Sequence, residues 1–279
     1  MVTSSSPSSW RRHAWIAVLA VGVGLFLAVE RTLVATQNPN LVPTAILLGA
    51  AVVPAAFVTF ISGRRLQYAV GGVAVAASAF LGCVIGLVVA GSVEFDVQRD
   101  LGALPMIGVG LIEEASKLIV PPAILRLIPR YRTVADGLLL GVAAGAGFAA
   151  METMGYAFTT LVTSRGSITD TVAELLLRGL LSPVGHMAWT GITAAALYAA
   201  AASGWRGRGV AHCGLAFLVT VALHALWDSQ KSLPGTVAVG VGVGVVSLVV
   251  LGITVHRSAA VARSSSLSRT VPAPARSRH

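Results

Sequence analysis

Apolar residues run along this chain in long unbroken stretches, neither at alternate positions nor on a single helical stripe. The runs fall at 14–29, 41–62, 68–91, 101–125, 134–158, 175–202, 210–228 and 236–255, separated by short polar or charged connections. A helix needs about 20 such residues to cross the hydrocarbon core of a bilayer. Strands of a membrane barrel would instead alternate over about ten residues. The pattern therefore predicts an all-α polytopic membrane protein of about eight transmembrane helices. The first run has the length of a signal-peptide core, but no small-x-small cleavage site follows, so it reads as an uncleaved first helix. Three segments result: a polar stretch at 1–13, a membrane domain at 14–257, and a tail at 258–279 rich in Ser, Arg and Pro. The tail cannot build a core and is expected to be disordered, basic and in contact with anionic lipid.

Composition agrees with the pattern and removes one function class. Hydrophobic residues make up 55% of the chain and charged residues 11%, with a mean hydropathy of +0.81. A soluble domain carries about 25% charge. The net charge of +9 would suggest nucleic acid in a soluble protein. Here the basic residues lie in loops and tails, so topology and lipid account for them and a soluble nucleic-acid binder is excluded. With both termini cytoplasmic, inner segments hold fourteen basic residues and outer ones only Arg31, Arg99, Arg165, Arg178 and Lys231. That asymmetry is the positive-inside signal and predicts cytoplasmic N and C termini. The richness in Arg, Ala, Val and Gly suggests GC-rich bacterial coding, hence a bacterial cell membrane. Cys83 and Cys213 lie in different apolar runs, make no metal-type spacing, and read as packing residues.

Against this background the ionisable residues inside the runs stand out. Glu113-Glu114-Ala-Ser-Lys117 interrupts the run at 101–125. A charge at mid-membrane costs about 2.5–3.5 kcal/mol on insertion scales, so such a cluster marks a functional site with partners on other helices. Adjacent helical residues point about 100° apart. One glutamate is therefore expected to work while Lys117, within reach of both, holds the other. Glu113 is the expected working carboxylate. Pro121 and Pro122 remove the donors for the carbonyls of Lys117 and Leu118, so the helix is expected to bend or end there.

Candidate partners lie on three later runs. Phe148-x-x-x-Glu152-x-x-x-Tyr156 places a ring, a carboxylate and a phenol on one helical face. His186 follows Pro183, which frees the carbonyl of Gly179 and opens room for a polar pocket. His224 and Asp228 are four apart, so the aspartate is able to hold the imidazole tautomer. Glu174 and Arg178, also four apart, read as an interfacial pair near the outer surface. At 1.5 Å per residue, Glu113 and His186 lie about 18 and 16 Å in from the outer side, and Glu152 and His224 about 27 and 21 Å in from the cytoplasmic side. All four share a layer from the middle of the membrane to its outer half.

Carboxylates and histidines in one membrane layer suit hydrolysis by an activated water, a metal site with an open water position, or a proton relay. The ordered set Glu113-Glu114-x-x-Lys117, Phe148-x-x-x-Glu152-x-x-x-Tyr156, His186 in Pro-Val-Gly-His-Met-Ala-Trp-Thr, and His224-x-x-x-Asp228 resembles the PrsW family of bacterial intramembrane proteases. That family is related to the CAAX prenyl endopeptidases and the bacterial ABI/CPBP proteins. The resemblance covers about 101–228, the expected protease core. It implies cleavage of a membrane-anchored protein, such as an anti-sigma factor, at a first site from the extracytoplasmic side. By analogy with the prenyl endopeptidases, Glu113 would activate water with help from His186, and His224 with Asp228 would polarise the scissile carbonyl. Glu152 stands where those relatives commonly carry a histidine, and Thr153 where family members often carry Asn, so this motif departs from theirs at two positions. Glu113, Glu114, Glu152, His186, His224 and Asp228 are the catalytic candidates, with Lys117 and Tyr156 supporting. Zinc and a metal-free glutamate mechanism both stay open. The other class is a non-proteolytic membrane protein on the same scaffold, a proton-coupled transporter or an immunity or scaffolding factor. No inverted repeat is evident, which counts against a secondary transporter.

Overall fold

A computed structural model describes residues 9–64, 66–230 and 233–270. They form helices α1 (Ser9–Thr36), α2 (Val42–Ser62), α3 (Gly72–Leu101), α4 (Met106–Lys117), α5 (Val120–Leu127), α6 (Val134–Thr163), α7 (Ile168–Leu181), α8 (His186–Ala202), α9 (Gly207–Asp228) and α10 (Leu233–Thr270). There is no strand among them. Six helices, α1, α2, α3, α6, α9 and α10, are long and apolar enough to cross a membrane. The other two expected spans are each divided in two, as α4–α5 and α7–α8. Proline is the physical reason in both places. The α4 helix ends at Lys117, and Pro121 and Pro122 stand in the first turn of α5 without N–H groups to continue the ladder. The hydroxyl of Tyr198 instead donates to the carbonyl of Pro121, at 2.9 Å. At Pro183 the chain leaves α7, and Ser182 Oγ donates to the freed carbonyl of Gly179 at 2.9 Å.

Helix α6 is the axis of the molecule. In its most apolar window 78% of residues are buried, against 11–33% for the other five long helices. Its small residues let neighbouring backbones come close. A Cβ at Gly145 would lie 2.5 Å from the carbonyl oxygen of His186, and one at Gly147 would run into the carbonyl of Ala79. Only glycine permits α8 and α3 to approach this near. Leu138, Val142 and Ala146 of α6 interdigitate with Met187, Ala188, Ile192 and Ala195 of α8 in the main apolar cluster. Ser78 Oγ of α3 donates to the carbonyl of Leu140 at 2.9 Å. Helix α1 packs mainly on α2, away from this axis.

The start of α6 carries a second buried polar feature. Thr133 and Asp136 form a reciprocal capping box, each side chain accepting from the other's backbone N–H at 3.0 Å. The free oxygen of Asp136 accepts from the N–H groups of Ala69 and Val70, at 2.7 and 3.0 Å. The connection from α2 to α3 is thereby fastened to α6.

Two boundaries differ most from the hydropathy pattern. The third apolar run, taken as 68–91, is a helix from Gly72 to Leu101, because Glu94, Asp96, Arg99 and Asp100 extend it as an amphipathic end. Helix α10 reaches Thr270, through the first part of the stretch read as a tail; the remainder of that tail and residues 1–8 of the N-terminal segment lie outside the described residues.

Candidate functional site

The breaks between α4 and α5 and between α7 and α8 bring the ionisable residues together. Termination of α4 at Lys117 leaves Glu113, Glu114 and Lys117 in its last turns, and termination of α7 makes His186 the first residue of α8. These face Glu152 in the middle of α6 and His224 and Asp228 at the end of α9. Glu113, Glu114, Lys117, His186 and His224 are buried.

The contacts form one continuous chain across five helices. Arg178 Nη2 of α7 donates to Glu152 Oε1 at 2.7 Å, and Glu152 Oε2 lies 2.9 Å from His186 Nε2. Nδ1 of His186 lies 2.7 Å from the ammonium of Lys117, which lies 2.7 Å from Glu114 Oε1. The same oxygen of Glu114 is 2.8 Å from His224 Nδ1, and His224 Nε2 is 3.0 Å from Asp228 Oδ2. An ammonium only donates, so Nδ1 of His186 accepts, and the ring carries its proton on Nε2, donated to Glu152. Lys117 also lies 4.4 Å from the ring centroid of Phe148. Its charge is thus met by a carboxylate, an imidazole lone pair and an aromatic face.

The two adjacent glutamates have different surroundings. Glu114 is held by Lys117 and His224. Glu113 Oε2 lies 3.4 Å from Lys117 Nζ and 3.5 Å from His224 Nε2, and although buried it takes no hydrogen bond from the described residues. One donor atom from each of Glu113, His186 and His224 lies within 4.8 Å of the others. Two imidazoles and a carboxylate oxygen that takes no hydrogen bond are the donor chemistry that a zinc ion takes, so these residues fit a metal. Lys117 opposes it, because its ammonium already occupies Nδ1 of His186 and stands beside Glu113.

Tyr156 lies at the edge, about half exposed, with the guanidinium of Arg178 3.5 Å from its ring centroid. Arg178 keeps the expected pair with Glu174 and adds a closer partner. Its Nε is 3.8 Å from Glu174, whereas Glu152 takes the short bond. An unpaired carboxylate in the core attracts the one long cation on the adjacent helix, which sequence spacing within α7 could not show. Two further residues escaped the sequence reading. Trp189 is fully buried with its ring 5.5 and 5.1 Å from those of His186 and His224, and Nε1 donates to Ser247 Oγ of α10 at 2.9 Å. Its position three after His186, hence on the same face, was the available signal. Glu94 of α3 has a buried Oε1 with no hydrogen-bond partner among the described residues. Ending the third run at 91 had put it in a loop.

A family model described as PrsW family intramembrane metalloprotease matches residues 43–255. Comparisons with curated proteins and with solved structures give no match.

Proposed function

The chain belongs to the PrsW family of intramembrane proteases, and from that premise we propose that it hydrolyses a peptide bond of a membrane-anchored protein at the Glu113–His186–His224 cluster. The observation that carries the reading is Glu113 Oε2, a buried carboxylate oxygen without a hydrogen bond, beside two imidazoles. A base must have a free lone pair directed at the water it deprotonates. Glu113 takes that proton. His186, engaged by Lys117 on one nitrogen and by Glu152 on the other, assists by holding the ammonium of Lys117 beside Glu113. His224 is held by Glu114 on Nδ1 and by Asp228 on Nε2, and in the reaction its Nε2–H turns from Asp228 to the carbonyl oxygen where negative charge develops. Trp189 packs on both rings and limits their rotation.

The site's donors also fit a divalent metal, which Glu113, His186 and His224 would hold. Bound there, it would act as a Lewis acid and lower the pKa of a bound water. The position of Lys117 favours the glutamate reading, because a metal at His186 Nδ1 would have to displace the ammonium.

Eight crossings with both termini cytoplasmic accompany this reading, each divided pair forming one crossing in two pieces. The basic asymmetry between alternate loops supports it. The site then lies in the outer half of a bacterial plasma membrane, where a first-site cleavage of an anchored regulator such as an anti-sigma factor would take place. Kinship with the CAAX prenyl endopeptidases is part of the same proposal, as the His224-x-x-x-Asp228 motif suggests.

Reconstituted protein is tested with a single-span substrate in liposomes. Glu113→Gln and His224→Asn are expected to abolish cleavage while keeping the elution profile and melting temperature of the wild type. Wild-type rates in both variants would overturn the assignment. Full activity of protein shown by elemental analysis to be metal-free, with no loss on chelation, supports the glutamate reading; activity that follows bound zinc supports the metal reading. Proton flux sensitive to Glu152→Gln, without cleavage, would favour a transporter on this scaffold.

A further inference from the structure

A partly open cavity leads to the site from between α6, α7, α8, α9 and α10. Leu181, Val184, Trp227 and Val243 give it apolar walls, while Glu152 and His186 lie at its polar end. It is narrow, with only about 30 Å³ open to the centre of a water molecule, room for about two waters. Its width is set by one contact. A Cβ at Gly240 would lie 2.7 Å from Cζ3 of Trp227, so glycine there lets the indole lie back against α10. None of Leu181, Val184, Trp227, Gly240 and Val243 belongs to the charged chain of the site.

We propose that this cavity is a side-chain pocket that admits one compact apolar residue of the substrate next to the bond to be cut, with Trp227 as its size gauge. The inference rests on the protease reading above and adds the substrate preference. The chemistry is complementary along its length. A membrane-spanning substrate offers apolar side chains, and the pocket walls remove one from lipid without requiring a polar partner. The peptide group attached to that side chain then lies at the polar end, beside His186 and Glu152. A bulky ring would collide with Trp227, and a cationic side chain would meet the guanidinium of Arg178 and a Glu152 already taken by Arg178 and His186.

The probe is a synthetic single-span peptide whose centre reads Gly-Ser-X-Ser-Gly, with X as Ala, Val, Leu, Phe or Arg. Each peptide is read twice, by cleavage with the wild-type pocket and by binding to Glu113→Gln protein in liposomes. Val is expected to be preferred to Phe and to Arg by about tenfold or more, the range that one misfitting apolar group produces in a hydrophobic pocket. Trp227→Ala should move the preference toward Phe. Gly240→Ala should push the indole inward and move it toward Ala. In the Trp227→Ala background Gly240→Ala should change nothing, a result that general destabilisation would not give. Cleavage that proceeds with the same order of X in every variant overturns the pocket and leaves the protease reading standing. Binding that follows the size of X, with no peptide cleaved by the wild type, keeps the pocket and overturns the protease reading. Displacement of a fluorescent phospholipid acyl chain by the pocket variants, with no dependence on X, assigns the cavity to lipid and overturns the proposal.

Discussion

Asp136 and Glu113 are acidic residues buried in the same helical core, at opposite ends of helices. Asp136 stands in the first turn of α6, where the helix dipole favours an anion, and its two oxygens take three backbone N–H bonds. Glu113 stands near the end of α4, where the dipole disfavours an anion, and Oε2 is left without a bond. Lys117 in the last turn offsets that disadvantage for the pair, and Glu114 takes most of the benefit. A satisfied carboxylate serves architecture: it fastens a loop. An unsatisfied one is held in place by its neighbours at a cost in stability, and its lone pair remains available for chemistry.

Changes at four positions, one of them combined with Glu114→Gln, probe this contrast, taken from the largest effect to the smallest. Glu113→Gln should lower the cleavage rate by about 10²–10⁴-fold, the usual contribution of a general base, with little change in melting temperature. A drop in stability comparable to that of an Asp136 variant would place Glu113 with the architecture instead. Lys117→Met should cost about 3–5 kcal/mol in denaturant unfolding, because it leaves Glu114 buried without its cation; adding Glu114→Gln should restore part of the loss. Asp136→Ala should cost about 1–3 kcal/mol by orphaning N–H groups. It should speed hydrogen exchange at Ala69 and Val70 while the cleavage rate per folded molecule holds. Tyr156→Phe keeps a ring beneath Arg178 and should stay within about 0.5 kcal/mol, whereas Tyr156→Ala should lose about 0.5–1 kcal/mol of cation–π attraction, read by thermal unfolding.

Much of the candidate site was legible before any fold was known, for an energetic reason. In apolar runs an ionisable residue is costly enough that Glu113, Glu114, Lys117, Glu152, His186 and His224 announce themselves without a structure. Spacing of three and four within a helix also foretold the Lys117–Glu114 and His224–Asp228 contacts. For Arg178 the spacing shows the pair with Glu174 but not the shorter bond to Glu152, which comes from another helix. Glu94 was missed because a charged end of a helix and a charged loop have the same composition.

The sequence by itself determined an all-helical membrane protein, the prolines that interrupt two of its spans, and the residues too costly to be in the apolar core without a purpose. These are local properties, set by hydropathy, backbone chemistry and helical period. Only the tertiary structure decided how the ends of α4, α8 and α9 meet the middle of α6, so that seven side chains join in one chain of contacts. It also decided which oxygen of the adjacent glutamates is left bare. That choice depends on sub-ångström competition for Lys117 and His224 among residues up to 110 positions apart, and helical spacing within one segment carries no information about it.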